Sequence, residues 1–146
     1  MKPSLILLSL LLLGASVLLL TACGNQSGTA QKTDGVDVDL SKMGGAVVYG
    51  KVYDMVNNGA NYEGQVVRMA GVVNEIPVTQ RGVQVDTLYS CVIFDATKCC
   101  SQGIEFVLPE GTAYPAVGTE VVVQGVWNNY QLYGIDRYRL LDAKIL

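Results

Sequence analysis

Residues 62–76, "YEGQVVRMAGVVNEI", decide the fold. They open at a glycine turn. From there Val67, Met69, Gly71 and Val73 alternate with Val66, Arg68, Ala70 and Val72. Period-two alternation of this length is the pattern of a strand with one face in a core. A glycine inside such a strand, here Gly71, marks a bulge or a sharp bend. Four more stretches follow with the same character: "VQVDTLYSCVIFD" (83–95), "GIEFVLP" (103–109), "GTEVVVQGVW" (118–127) and "GIDRYRLLDAKIL" (134–146). Turn residues separate them: Arg81-Gly82, the "ATKCCSQG" loop, the Pro109–Gly118 link, and Asn128-Asn129 with Gly134. Gly125 in the fourth strand mirrors Gly71 in the first.

Upstream, "AVVYGKVYDMVNNG" (46–59) has helical spacing. Val48, Val52, Met55 and Val56 fall at i, i+4, i+7 and i+8, which is one face. Asn57-Asn58-Gly59 is the stop, with Gly59 supplying a left-handed turn. Few strands close only with strong coiling, and bulges and glycines supply it. The expectation is an all-β domain: a small five-stranded barrel resembling the oligonucleotide/oligosaccharide-binding (OB) fold, with one N-terminal helix plugging an end. The usual OB helix lies between strands three and four. Here that link, "PEGTAYPAVG", is too short and carries two prolines. An SH3-like or other five-stranded roll is the alternative.

The N-terminus is of another kind. Lys2 precedes an uncharged apolar run, "LILLSLLLLGASVLLL", that is short for a spanning helix. A positive start, an apolar run and small residues make a secretory signal. Its end, "LTAC" (20–23), resembles the lipobox of bacterial lipoproteins. The resemblance implies cleavage before Cys23 and a diacylglycerol (with palmitate-type chains) on its thiol. A plain signal anchor is the competing interpretation. Each buried methylene stabilises a lipid anchor by about 0.8 kcal/mol, so two or three chains suffice to hold a protein at a bilayer. Residues 24–35, "GNQSGTAQKTDG", have almost nothing apolar and suit a flexible tether. "VDVDLSKMGG" (36–45) is either a short edge strand or more linker. The expected organisation is a signal peptide at 1–22, a lipidated Cys23 and linker at 23–45, and the barrel at 46–146. The expected location is the extracytoplasmic face of the cell membrane.

Charge narrows the partners. The chain carries 10 basic and 13 acidic residues, and without residues 1–22 the balance is 9 against 13. No basic cluster is present, so nucleic acid is disfavoured as a partner. There is no histidine, which excludes Ser-His-Asp and Cys-His catalysis. No phosphate-binding glycine loop occurs either, and Asp136-Arg137 fit surface charges at a strand end. The pattern favours a non-enzymatic binding module.

Two candidate sites remain. One is the aromatic, polar strand-four/five connection with Trp127, Asn128, Asn129, Tyr130 and Tyr133, suited to a sugar, peptide or protein. Trp127 is equally a core residue, leaving Tyr130 and Tyr133 as the surface candidates. The other is the cysteine set Cys91, Cys99 and Cys100. Lipid on Cys23 would leave these three, an odd number. Cys91 fits a small buried apolar residue. A disulfide from Cys91 to Cys99 or Cys100 would stabilise by roughly 2–3 kcal/mol. It needs the loop to fold back, because Val92 to Asp95 carry the chain about 13 Å away. A Cys99–Cys100 bridge is a further option. Three thiolates, with Asp95 or Glu105 completing the set, also suit a soft ion such as zinc or copper(I). A thiol-dependent metal-handling or redox role is therefore the alternative function.

The run "VYDMVNNGANYEGQVVRMAGVV" (52–73), with "DATKCCSQGIEF" (95–106), resembles a family of uncharacterised OB-like bacterial lipoproteins. It is also similar to the OB-like domain of putative permease-associated proteins, with a Cys-Cys pair after strand two. The resemblance spans about residues 47–146. It implies the barrel fold and an envelope protein or permease as partner. It adds weight to Cys99 and Cys100 and supplies no reaction.

Overall fold

The computed structural model describes residues 35–146; the expected signal peptide, Cys23 and most of the expected tether lie outside the described residues. Strand β1 (Val38–Asp39) precedes helix α1 (Gly45–Asn57) and a 3-10 turn (Gly59–Tyr62). Then follow β2 (Val66–Gln80), β3 (Val83–Phe94), β4 (Ser101–Phe106), β5 (Glu120–Leu132) and β6 (Ile135–Ile145). The strands pair in the order β1-β2-β3-β4-β6-β5, and β5 pairs back onto β2. That last pairing closes a five-stranded barrel of the OB-like kind, with β4 and β6 parallel and its other pairs antiparallel.

The core follows from the alternation. Val67, Met69 and Val73 of β2, Cys91 and Ile93 of β3, Ile104 and Phe106 of β4, and Trp127 and Leu140 all point inward and are buried. Helix α1 packs against β3 and β4 and adds Val48, Val52 and Met55 to the same core. Val56 does not join them and is 39% exposed. At about 100° per residue it lies some 80° round the helix from Val48, at the edge of the apolar stripe.

The segment 36–45 is partly built into the domain. Val36 and Leu40 are buried, and Leu40 N–H donates to the Arg68 carbonyl at 2.7 Å. The packed domain therefore begins about ten residues before Ala46, because β1 lays a parallel edge along β2.

Gly59 serves packing rather than a left-handed turn. Its φ is not positive, and an added Cβ would lie 2.4 Å from the Tyr138 ring. The strand-four/five turn is at Tyr133-Gly134, with φ of 52° and 78°, rather than at Asn128-Asn129. Two consecutive positive-φ residues make the hairpin turn whose twist matches the strands. Asn128 and Asn129 are strand residues paired with Arg139 and Tyr138. Arg81-Gly82, with φ of 50° and 80°, makes the equivalent turn between β2 and β3. Both hairpins continue as two-stranded arms. Pro77, which has no N–H to give a ladder, sits where β2 has left β5 and pairs only with β3.

Candidate functional site

Glu105 lies on the outer face of β4, between the inward-facing Ile104 and Phe106. It is nevertheless only 8% exposed. A buried carboxylate is costly unless its oxygens are satisfied. Here Arg137 Nε donates to Oε1 at 2.7 Å, and the Arg137 Nη2 pairs with the same oxygen. The Tyr130 hydroxyl donates to Oε2. Strand register explains the meeting: Tyr130 on β5 pairs with Arg137 on β6, and Glu105 pairs with Arg139. Burial pushes the Tyr130 hydroxyl up to about 12, and its bond to Glu105 adds to the shift. Tyr130 is thus a neutral donor at ordinary pH. Burial works against the charge on Arg137, but the bond and charge of Glu105 outweigh it and hold the guanidinium's pKa above its usual value.

Beside Glu105 and Tyr130 the outer face forms a groove of about 250 Å³. Asp86 to Tyr89 of β3 make one wall, and Glu105 to Val107 with Tyr114, Tyr130 and Arg139 make the rest. Tyr89 and Tyr114 stack on each other with centroids 3.8 Å apart. The Arg139 guanidinium lies 4.5 Å over the Tyr130 ring, and its Nε donates to Asn128 Oδ1 at 3.1 Å. The two hairpin arms flank this face, which is where OB barrels hold their ligands.

The three aromatic candidates separate. Trp127 is fully buried, stacked on Tyr138, with its indole N–H donating to the Gly59 carbonyl at 2.9 Å. Tyr130 belongs to the groove. Tyr133 stands 59% exposed at the tip of the β5–β6 arm. The sequence marks Glu105 only as a candidate metal ligand and Arg137 only as a surface charge, and it carries no signal for Tyr89 and Tyr114. The outward position of Glu105 follows from strand alternation, but its burial comes from side chains 25 and 32 residues away.

Ser90 pairs with Glu105 across β3 and β4 and is 3% exposed. Its hydroxyl is buried without a hydrogen-bond partner. An unsatisfied buried hydroxyl costs roughly 1–3 kcal/mol. Ser90→Ala is therefore expected to raise stability by about 1 kcal/mol in urea unfolding; a loss of that size would show the hydroxyl to be bonded in solution.

The cysteines also separate. Cys91 is buried in the core, opposite Ile104, and is not bridged. Cys99 and Cys100 are free and exposed in the β3–β4 turn. The turn does not fold back over β3. Asp95 N–H donates to the Cys100 carbonyl at 3.0 Å, which places the pair beyond the last ladder rung, Phe94 with Ser101. Cys91 lies three residues further down the strand, about 10 Å from that rung. Asp95, by contrast, joins the pair: its Oδ2 is 3.2 Å from Cys99 Sγ, and the two Sγ atoms are 3.5 Å apart. The bond from Cys99 and the other hydrogen bonds of the turn hold the Asp95 carboxyl below its usual range. Hydrogen bonding to Cys99 raises the Cys100 thiol.

The fold and the groove define a small OB-like barrel. No protein-family model matches the chain, and no curated protein or solved structure matches it.

Proposed function

We propose that this chain is a non-enzymatic binding module, held at the extracytoplasmic face of the membrane by lipid on Cys23, that takes an extended polypeptide partner in the groove. The observation that carries this is the unpaired edge of β3 beside that groove. Residues 83–89 pair with β2 on one side and have no strand partner on the other among the described residues. Such an edge is a template for an added strand, and side-chain pockets next to it give selectivity. The mixed charges of Asp86, Glu105 and Arg139 suit a polar peptide. Sugars and bases need free aromatic faces. Here Tyr89 and Tyr114 cover each other, and Arg139 covers Tyr130. Among the described residues no helix is long and apolar enough to cross a membrane, so the proposed attachment rests on the lipobox alone.

The test is selection of peptides of about ten residues against the full chain, followed by titration of variants. Arg139→Glu and Tyr130→Ala should each weaken a selected peptide at least tenfold, a loss of about 1.4 kcal/mol. Val47→Ser, on the exposed side of α1, should leave the affinity unchanged. Affinity indifferent to both groove variants, or groove binding by oligosaccharides and not peptides, would sink the proposal.

A further inference from the structure

We propose that the β3–β4 turn is a separate binding site for a thiophilic divalent cation of the zinc class, held by the Cys99 and Cys100 thiolates and the Asp95 carboxylate. The ligand atoms of these three residues lie within 4.8 Å of one another. The spacings match a tetrahedral ion. With metal–sulfur bonds of about 2.3 Å and metal–oxygen bonds of about 2.0 Å, the edges of the tetrahedron are about 3.8 Å between sulfurs and about 3.5 Å from sulfur to oxygen. The observed edges are 3.5 Å between Cys99 Sγ and Cys100 Sγ and 3.2 Å between Cys99 Sγ and Asp95 Oδ2. Expansion by about 0.3 Å would admit the ion. A linear dithiolate, the habit of a softer monovalent ion, needs sulfurs about twice the bond length apart, about 4.6 Å. Adjacent cysteines at 3.5 Å are far from that.

The two oxygens of Asp95 divide their work. Oδ1 accepts the Cys99 N–H at 2.9 Å and the Cys100 N–H at 3.4 Å, which orients the carboxylate. Oδ2 faces the Cys99 sulfur and accepts from the Thr97 hydroxyl at 2.9 Å. A ligand carboxylate oriented by its own hydrogen bonds is the usual construction of a metal site. Three protein ligands leave the fourth position for water or a partner's donor. Binding involves no electron transfer: each thiol gives up its proton and the thiolates donate electron pairs to the ion. Cys91 has no part in it.

The experiment uses the full chain in detergent under reducing conditions, with cobalt(II) as the spectroscopic stand-in for zinc. One equivalent should give a thiolate-to-cobalt charge-transfer band that zinc abolishes by displacement. Cys99→Ser with Cys100→Ser should remove the band. Asp95→Asn should weaken cobalt at least tenfold, and Cys91→Ala should retain it. Absence of the band in the unaltered chain, or a band surviving the double serine variant, would overturn the site. Neither result bears on peptide binding in the groove.

Discussion

Gly71→Ala is expected to destabilise the domain by about 3 kcal/mol, the upper part of the range for overpacking a core. A Cβ at Gly71 would stand 2.6 Å from the Val92 carbonyl oxygen and 2.7 Å from Cys91 Sγ. The first of these is backbone, held in the β2–β3 ladder by the pairing of Val72 with Val92. It cannot swing aside as the end of a long side chain would. The barrel must open locally or the ladder must shift. Urea unfolding should show the loss directly, and the melting temperature should fall on the order of 15 °C. Gly50→Ala is the matching control. It sits in α1 with nothing within 4 Å of an added Cβ, so the better helix propensity of alanine should stabilise by about 0.5–1 kcal/mol. If Gly71→Ala is neutral, the barrel is not closed as tightly at β2 and β3 as the structure has it.

The same glycine explains how much of the fold was legible. Five alternating stretches and two internal glycines are local patterns, and they predict the strands and a bulge or sharp bend at Gly71 and Gly125. At Gly71 the β2–β5 register runs on unbroken, and the glycine instead admits the close approach of the Val92 backbone. At Gly125 the register shifts: β6 places Asp142 and Ala143 opposite one residue of β5. Strand ends are less legible, because local composition does not decide them. Asn128-Asn129 has turn composition, but pairing with Arg139 and Tyr138 overrides it. Tyr133 in the positive-φ position of a turn is uncommon for a large residue, so composition pointed elsewhere. The groove was least legible. Its carboxylate and phenol, and the Arg137 guanidinium that holds the carboxylate, come from three strands, and only the pairing order of the closed barrel brings Glu105, Tyr130 and Arg137 together. The cysteine loop was half legible. Its three cysteines and Asp95 stand within ten consecutive residues, but alternation into the core removes Cys91, and Tyr130 and Arg137 hold Glu105 elsewhere, so Asp95 alone of the two carboxylates joins Cys99 and Cys100.

That division of the cysteines has a large measurable consequence. Cys91 is fully buried, and desolvation pushes its thiol up to about 12. At pH 8 its thiolate fraction is about 1 in 10⁴, and only the thiolate attacks a disulfide reagent. Cys99 and Cys100 are exposed to reagent. In the metal-free, reduced chain with the Cys23 thiol blocked, two thiols should react promptly. The third should be slower by at least about 10³-fold and should follow global unfolding. Three prompt thiols would show that the Cys91 environment is open. The pH dependence has a definite sign. An unfolded cysteine loses its proton near pH 8.5, whereas folded Cys91 keeps it until about 12. Between those values the unfolded state binds one proton fewer, so stability is intact below about pH 8.5 and falls by about 1.4 kcal/mol per pH unit above it. Tyr130, also raised to about 12, acts in the same direction at the top of that range. Cys91→Ala should remove most of the alkaline slope while leaving stability near neutral pH reduced by the lost packing alone. Urea midpoints measured from pH 7 to pH 11 would show this. A slope unchanged in Cys91→Ala would assign the alkaline loss to other groups.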